Sequence, residues 1–173
     1  MSAGAPVVQV PETLDAWRMV AARRQFEGRL PLSALPRLRG SLADVEGECG
    51  FTLEFGQDTL QVPYIELSID AGLPLLCQRS LERFVFPVRS VLRLGLIRDE
   101  ADEAALPEGY EPLLVPEDGL VRPAELVEDE LVLALPVVPL APGSEPIDRT
   151  WSAGEEELQA ASPFAALASL KKK

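Results

Sequence analysis

The chain has 173 residues, a hydrophobic content of 47% and no histidine. This length suits one globular domain with short tails, and the hydrophobic content allows a core to form. The absence of histidine excludes Ser-His and Cys-His nucleophilic sites and every metal site that uses a histidine ligand. We therefore expect a binding protein rather than an enzyme of these classes.

The net charge is −12, and it is unevenly distributed along the chain. Residues 1–98 hold 11 basic and 11 acidic residues, whereas residues 99–159 hold 17 acidic residues against only Arg122 and Arg149. Non-specific binding to nucleic acid depends on neutralisation of phosphates, so the overall charge disfavours it. A local basic face or a basic protein partner remains compatible with this distribution.

The expected compartment is the cytoplasm. The first fifteen residues lack the basic start and long apolar run of a secretory signal. The longest apolar stretch, residues 131–142, is too short to cross a bilayer and contains three prolines. Two cysteines, Cys49 and Cys77, do not form a disulfide framework. We expect no association with a membrane.

A first helix is predicted over residues 13–24, with Thr13 as its N-cap. Apolar residues recur at helical spacing on one side of it: Leu14, Trp17 and Ala21. Gly28 supports the end of the helix.

Three alternating runs follow, over residues 45–55, 65–69 and 84–96, with turns predicted at 56–58 and 71–74. Alternation with short connections predicts an antiparallel sheet or a partly closed barrel. After an acidic connection at 99–111, a short strand is expected at 112–115. Pro123 can begin a second helix over 124–134, because proline is tolerated at the first helical position. The helix has two apolar sides and is expected to pack between other elements.

The expected fold class is α+β. Residues 1–140 form a single domain with an N-terminal helix, the sheet or barrel and the packed helix near 124–134. Residues 141–173 form a mobile C-terminal region, in which the residues before Pro163 are an acidic flexible segment. The chain ends in a basic tail.

Three groups of residues are candidates for binding. The arginines could follow a phosphate backbone, and they form a helical set and a strand set: Arg18, Arg23, Arg24; Arg79, Arg83, Arg89, Arg93. For the strand set we favour the alternative without a binding role, in which these arginines form a solvated sheet face that is partly paired with Glu46, Glu48 and Glu54. Few aromatic residues accompany these arginines, so base stacking is unsupported. Candidates for a protein partner are the acidic side of the second helix and the tail, where a docking segment and a frayed end are equally plausible: Glu125, Glu128, Asp129; Phe164, Leu167, Leu170, Lys171, Lys172, Lys173.

Metal and cofactor sites are not expected. The chain lacks the glycine-rich phosphate-binding motifs. Cys77 and Cys49 supply two sulfurs, which cannot complete a tetrahedral zinc site alone. Cys49 is on the apolar side of its run and is expected to be a small buried hydrophobic residue. The acidic clusters are interpreted as solvated surface.

Several blocks of sequence together resemble the YceD family, the large ribosomal RNA subunit accumulation proteins. The blocks occur in family order and cover most of the chain: LDAWRMVAARRQFEG, CQRSLERF, ALPEGYEPLLVPEDG, LVEDELVLALPVVP and SPFAALASLKKK. The resemblance implies a role in synthesis, processing or stability of 23S rRNA, without an established enzymatic activity. Members often carry a CxRC motif. Cys77 and Arg79 match it, but Ser80 replaces the second cysteine, so zinc binding is not inferred.

Three hypotheses follow. The first is a non-enzymatic adaptor in ribosome biogenesis, which presents arginines to 23S rRNA or a pre-ribosomal particle and its acidic half to a basic ribosomal or RNA-processing protein. The second is a protein-only binding module that recruits or restrains an RNA-processing or transcription factor without touching RNA. The third, a carboxylate-dependent hydrolase using Glu128, Asp129 and Glu130, is disfavoured.

Overall fold

The structure, a computed structural model, describes residues 9–144. The predicted acidic segment from residue 145 on and the basic tail lie outside these residues, and the domain boundary expected near residue 140 stays a prediction. The described elements are, in chain order, β1 (Leu14–Asp15), α1 (Ala16–Ala21), β2 (Gln25–Pro31), a 3₁₀ turn (Leu32–Ala34), α2 (Pro36–Arg39), β3 (Glu48–Gln57), β4 (Pro63–Leu76), β5 (Arg83–Ile97), a second 3₁₀ turn (Glu100–Ala105), β6 (Glu111–Leu114), β7 (Leu120–Val121) and α3 (Pro123–Ala134).

The main sheet has five strands in the order β2-β3-β4-β5-β6. The first three pairs are antiparallel, while β6 pairs with β5 in parallel. Strands β2 and β6 are the two edges, so the sheet is open rather than closed into a barrel. A separate antiparallel pair joins β1 to β7 and ties the start of α1 to the segment before α3. The predicted α+β class and the antiparallel sheet are confirmed, and the parallel edge strand is an addition.

One face of the sheet is buried, because alternate residues of the long strands are apolar. The sheet residues of the core include Phe51, Leu53, Ile65, Leu67 and Leu94. The helices and the first 3₁₀ turn complete the same core with a second set: Ala16, Val20, Leu32, Leu35, Leu38, Val127 and Leu131. The opposite sheet face is largely polar, and it carries the arginines of the strand set other than Arg79.

Helix α1 is shorter than predicted, because its caps lie inside the expected range. Asp15, rather than Thr13, is the N-cap, and its carboxylate accepts a hydrogen bond of 2.9 Å from the backbone N–H of Arg18. The helix ends at Ala21. Arg23 adopts a left-handed φ of 45°, and the N–H of Arg24 donates to the carbonyl of Met19 at 3.0 Å. This is a Schellman motif with arginine at the position that favours glycine.

Strand β2 was not predicted, and Gly28 lies within it rather than ending a helix. Phe26, Gly28 and Leu30 pair with inward residues of β3. A Cβ at Gly28 would come within 2.7 Å of the Phe51 ring, so glycine allows the ring to lie across the strand. The alternation of Phe26 and Leu30 was the available signal.

The turn predicted at residues 71–74 is wrong, because β4 continues through it to Leu76. Strand β3 ends its pairing opposite Ala71, with Cys49 as the partner, whereas β5 pairs with β4 as far as Leu76. The last residues of β4 therefore pair with a strand on one side only, and the carbonyl of Pro74 accepts a hydrogen bond of 2.8 Å from the N–H of Ala43. A proline is tolerated in such an edge segment, and this explains why Pro74 does not end the strand.

Helix α3 confirms the predicted second helix, with Pro123 in its first turn. It ends before Pro136, because the residue preceding a proline is restricted to extended backbone and Leu135 has ψ 131°. Leu126, Val127 and Leu131 are buried. The second apolar side is not continuous, however, since Leu133 is 77% exposed.

Candidate nucleic-acid interface

Arg18, Arg23 and Arg24 lie together at one end of the sheet, on α1 and its C-terminal cap. The cap joins α1 to β2, and the carbonyl of Arg24 accepts a hydrogen bond of 2.9 Å from the N–H of Phe55 near the end of β3. All three side chains are exposed. Within residues 9–144, none of them forms an ion pair with a carboxylate. Their charge is therefore available to an anionic ligand.

Arg98 joins this group and was missed by the sequence analysis. It directly follows β5, whose C-terminal end lies beside the start of β4. Its guanidinium group stacks over the ring of Trp17 on α1, 4.1 Å from the ring centroid. Trp17 also lies against the backbone of Gly119, where a Cβ would come within 3.0 Å of the indole. We call Arg18, Arg23, Arg24 and Arg98 the basic end.

The arginines of β5 differ, because each is paired with a carboxylate. The Nε atoms of Arg83 and Arg89 lie 2.5 Å from Asp44 and 3.1 Å from Asp70, respectively. Arg93 Nη2 lies 2.6 Å from Glu66. We call Arg83, Arg89 and Arg93 the sheet arginines. Their charges are neutralised in place, which agrees with the interpretation as a solvated, paired face.

The cross-strand register explains two of these pairs. Glu66 lies opposite Arg93 and Asp70 opposite Arg89 in the β4–β5 ladder. Of the three carboxylates expected to pair with the sheet arginines, Glu46 does so, 3.7 Å from Arg83. Glu48 instead pairs with Arg29, and the structure shows no ion pair of Glu54 among residues 9–144. The sequence predicted the type of pairing but not the partners, because the register was not known.

Arg93 has further contacts that fix it on the sheet. Its guanidinium group lies 4.7 Å from the ring centroid of Tyr64 and 5.8 Å from that of Tyr110. Hydrogen bonds to Glu66, and then to Tyr110, raise the pKa of Arg93. Asp58 accepts from the Tyr110 hydroxyl at 2.9 Å and from the N–H of Val62, and the latter bond contributes most to lowering the pKa of Asp58. A shallow cavity of about 460 Å³ beside Arg93 is lined by Glu66, Glu108 and Glu111 as well.

The predicted arginines do not form one surface. Arg79 lies on the turn between β4 and β5, and Arg83 lies opposite Leu76 at the start of β5. Arg24 is bonded to Phe55, which pairs with Ile65 near the other end of β4. The eleven residue steps from Ile65 to Leu76 span roughly 36 Å at about 3.3 Å per residue. Arg79 and Arg83 therefore lie at the opposite end of the sheet from the helical set, whereas Arg93, opposite Glu66, lies near the same end as Arg24 on the polar face.

Glu128 corrects the predicted acidic side of α3, because its side chain is buried, with 4% exposure. Its Oε1 accepts hydrogen bonds from the N–H groups of Arg37 at 2.7 Å and Leu38 at 3.1 Å. Its Oε2 accepts from Arg37 Nε at 3.0 Å. The carboxylate thus caps the first turn of α2 and joins α2 to α3, so it is not offered to a partner.

Glu125 and Asp129 are exposed, as predicted. Glu125 pairs with Arg122 at 3.0 Å, and Asp129 lies 2.6 Å from Arg37 Nη1. The Asp129 and Glu128 carboxylates raise the pKa of Arg37. The remaining partner candidates, from Phe164 to Lys173, lie outside the described residues.

Both cysteines are buried. Burial raises the pKa of Cys49 to about 11, so the thiol is neutral near pH 7. Cys77 Sγ accepts weak hydrogen bonds from the N–H groups of Ser80 at 3.5 Å and Ala141 at 3.3 Å. Within residues 9–144 no group of three or more His, Cys, Asp or Glu side chains could hold a metal ion. The same residues include no helix long and apolar enough to cross a membrane.

The fold and this site define an α+β protein with an open sheet, a neutralised sheet face and a separate basic end. The chain belongs to the YceD family: the family described as large ribosomal RNA subunit accumulation protein YceD matches residues 65–171. A relative from Haemophilus influenzae, named large ribosomal RNA subunit accumulation protein YceD, is 31% identical over 173 residues. The match covers 96% of this chain and 98% of the relative. No solved structure matches the chain.

Proposed function

We propose that this protein is a cytoplasmic, non-enzymatic factor that supports the accumulation of 23S rRNA and contacts that RNA through its basic end. The family and the name of the relative supply the process. The observation that carries the RNA contact is the difference in pairing: the basic end has no carboxylate partner within residues 9–144, whereas each sheet arginine has one.

The basic end suits a phosphate backbone for two reasons. Arginine presents several N–H donors in a planar fork that matches phosphate oxygens. The guanidinium of Arg98 is held in place by its stacking contact with the Trp17 ring, so its N–H groups can bind a phosphate without first being ordered. Such contacts position RNA without reading its sequence. This geometry favours binding to a structured segment of rRNA over binding to a particular base sequence.

A bacterial strain without its own YceD-family protein provides the functional test. We expect the wild-type chain to restore the ratio of 23S to 16S rRNA, and a variant with Arg18, Arg23 and Arg24 changed to Gln to restore it poorly. The matched control changes the three sheet arginines to Gln and removes the same charge. Equal restoration by the two variants at equal protein levels would contradict the proposed role of the basic end.

The protein-only module is the second candidate, and the observation in its favour is a group of exposed apolar residues around the end of α3. Purification of the tagged chain from cells, with and without ribonuclease, separates the two candidates. Loss of 23S rRNA and of its associated proteins after ribonuclease supports direct RNA contact. A partner protein that is retained, with no 23S rRNA recovered in either case, supports the module.

A further inference from the structure

Apolar side chains are exposed where α3 ends and where the next segment crosses the turn between β4 and β5. Val137 is 100% exposed, Leu133 77% and Leu81 70%. Val138, Leu140 and Leu76 continue this group, with about half of each side chain exposed. We call these six residues the apolar surface. A large exposed apolar patch on a soluble domain marks an interaction site more often than isolated exposed residues do.

The backbone around the apolar surface is held in place. The N–H of Gln78 donates to the carbonyl of Pro139 at 2.9 Å, and the N–H of Ala141 donates to Cys77 Sγ at 3.3 Å. The segment that carries Val137 and Val138 is thereby attached to the turn that carries Leu81. These side chains are exposed on a bonded framework, so a partner need not order the segment first.

Leu81 adds an argument of its own. It has a left-handed φ of 59°, a conformation that L-residues other than asparagine and aspartate rarely adopt. The N–H of Leu81 donates to the carbonyl of Cys77 at 2.9 Å and closes the turn. A glycine would adopt this left-handed backbone with less strain, and a polar side chain at this exposed position would be better hydrated than leucine. The left-handed backbone of Leu81 thus holds a 70% exposed leucine side chain at the apolar surface.

The charge beside the apolar surface selects the partner. Helix α3 carries four carboxylates and no basic residue within Pro123–Ala134. Arg37 and Arg122 pair with three of them, Glu125, Glu128 and Asp129, which leaves the helix net acidic. A second copy would bring two acidic helices together, and RNA would bring phosphates against carboxylates. Both arrangements are repulsive.

We propose that the apolar surface and the exposed side of α3 bind a basic amphipathic segment of another protein. Apolar side chains of that segment cover Leu133 and Val137, and its lysines or arginines compete with Arg122 and Arg37 for the exposed carboxylates of Glu125 and Asp129. This inference rests on the proposed function, in which the chain contacts RNA through its basic end, and it adds a protein contact at a different site. Helix-in-groove recognition uses this combination of apolar anchors and flanking charge.

A synthetic helical peptide of leucine and lysine, labelled with a fluorophore, is the probe, and the full-length chain is the receptor. We expect binding in fluorescence anisotropy, and a loss of about tenfold or more in the variant Leu133→Asp/Val137→Asp, because both anchors are removed. Leu60→Asp is the control for changing a single exposed leucine to aspartate: Leu60 is 71% exposed near the β3–β4 turn, away from the apolar surface. This control should bind as the wild type does.

Two further peptides test the chemistry. A leucine and glutamate peptide and a serine and lysine peptide should each bind much more weakly, since each lacks one of the two features. Changing Glu125 and Asp129 to Gln should weaken the leucine and lysine peptide several-fold and reduce its salt dependence. Equal affinity of the basic and acidic amphipathic peptides, or unchanged affinity in Leu133→Asp/Val137→Asp, would overturn the proposal.

If a second copy of the chain or RNA covers the apolar surface instead, the experiments give different results. A wild-type dimer in light scattering that Leu133→Asp/Val137→Asp converts to a monomer would show that a second copy covers the surface. Loss of RNA binding in the same variant would assign the surface to RNA. Folding of each variant is checked by thermal unfolding. If Leu133→Asp/Val137→Asp binds RNA normally and binds the leucine and lysine peptide as tightly as the wild type does, the partner proposal fails while the proposed function stands. If the variant with Arg18, Arg23 and Arg24 changed to Gln binds RNA normally, the proposed function fails.

Discussion

The basic end and the sheet arginines contain the same residue type in the same chain, but their surroundings differ. Each sheet arginine meets a carboxylate of β4 or of the segment before β3. The basic end projects from a helix, its cap and a strand end, where the described residues provide no such partner. The spacing of arginines in the sequence identifies a common face, whereas the register of neighbouring strands decides whether their charge is available.

The largest expected effect concerns Glu128, whose buried carboxylate accepts hydrogen bonds from Arg37 and Leu38. Glu128→Ala should lower the free energy of unfolding by about 3 kcal/mol, because three buried or partly buried donors of α2 lose their acceptor. Denaturant titration measures this change. Asp129→Ala is the control, since its exposed pair with Arg37 should contribute below about 1 kcal/mol. Similar losses in both variants would mean that burial does not separate structural from available charges.

Arg23 should show stability and binding changing in opposite directions. Arg23→Gly relieves the left-handed φ of 45°, so the free energy of unfolding should rise by about 1 kcal/mol. Affinity for 23S rRNA should fall at the same time, because one charge of the basic end is lost. Thermal unfolding and RNA titration check the two effects. The control is Arg24→Gly, which removes the same charge without a left-handed residue to relieve, and it should not be stabilised.

Arg98 tests whether the basic end extends beyond α1. Arg98→Gln should weaken RNA binding about fivefold, which corresponds to the loss of one positioned charge of roughly 1 kcal/mol. Arg122→Gln is matched in charge, but Arg122 pairs with Glu125, so its effect should be smaller. Electrophoretic mobility shift at fixed salt measures both. An equal loss in the two variants would remove Arg98 from the interface.

The smallest effect concerns pH and the pair Asp44–Arg83. The hydrogen bond from Arg83 lowers the pKa of Asp44 below its ordinary value of 3.8. The folded state then binds fewer protons than the unfolded state, so the stabilisation is present above that value and is lost as pH falls through the lowered pKa. Denaturation of wild type and Asp44→Asn should therefore differ near neutral pH and converge at acidic pH. In an Arg83→Gln background, the difference and its pH dependence should shrink.

Much of this fold was predictable from hydrophobic periodicity. The alternation in β3, β4 and β5 and the proline-bounded helix α3 gave the α+β class and an antiparallel sheet. Strand β2 was missed because Gly28, which fits beneath Phe51, was interpreted as a helix stop. The parallel pairing of β6 depends on a crossover that local periodicity does not encode.

The candidate site was only partly predictable, because its contacts join residues that are far apart in the sequence. Arg18, Arg23 and Arg24 were identified from the sequence as a candidate group, and their exposure agrees with that interpretation. The burial of Glu128 could not be read from α3 alone, because its partner Arg37 lies 91 positions away in sequence. The stack of Arg98 on Trp17 joins the end of β5 to α1, and neither segment signals the other.

The most direct test asks whether RNA is bound by the arginines that have no carboxylate partner among the described residues. It compares two triple variants in RNA titrations across a range of potassium chloride concentrations. We predict that changing Arg18, Arg23 and Arg24 to Gln lowers affinity for a 23S rRNA fragment by about 30-fold or more and reduces the salt slope by roughly 2. Changing Arg83, Arg89 and Arg93 to Gln should leave the slope close to that of the wild type. A larger loss of affinity in this second variant, or equal losses in both, would contradict an RNA contact through the basic end.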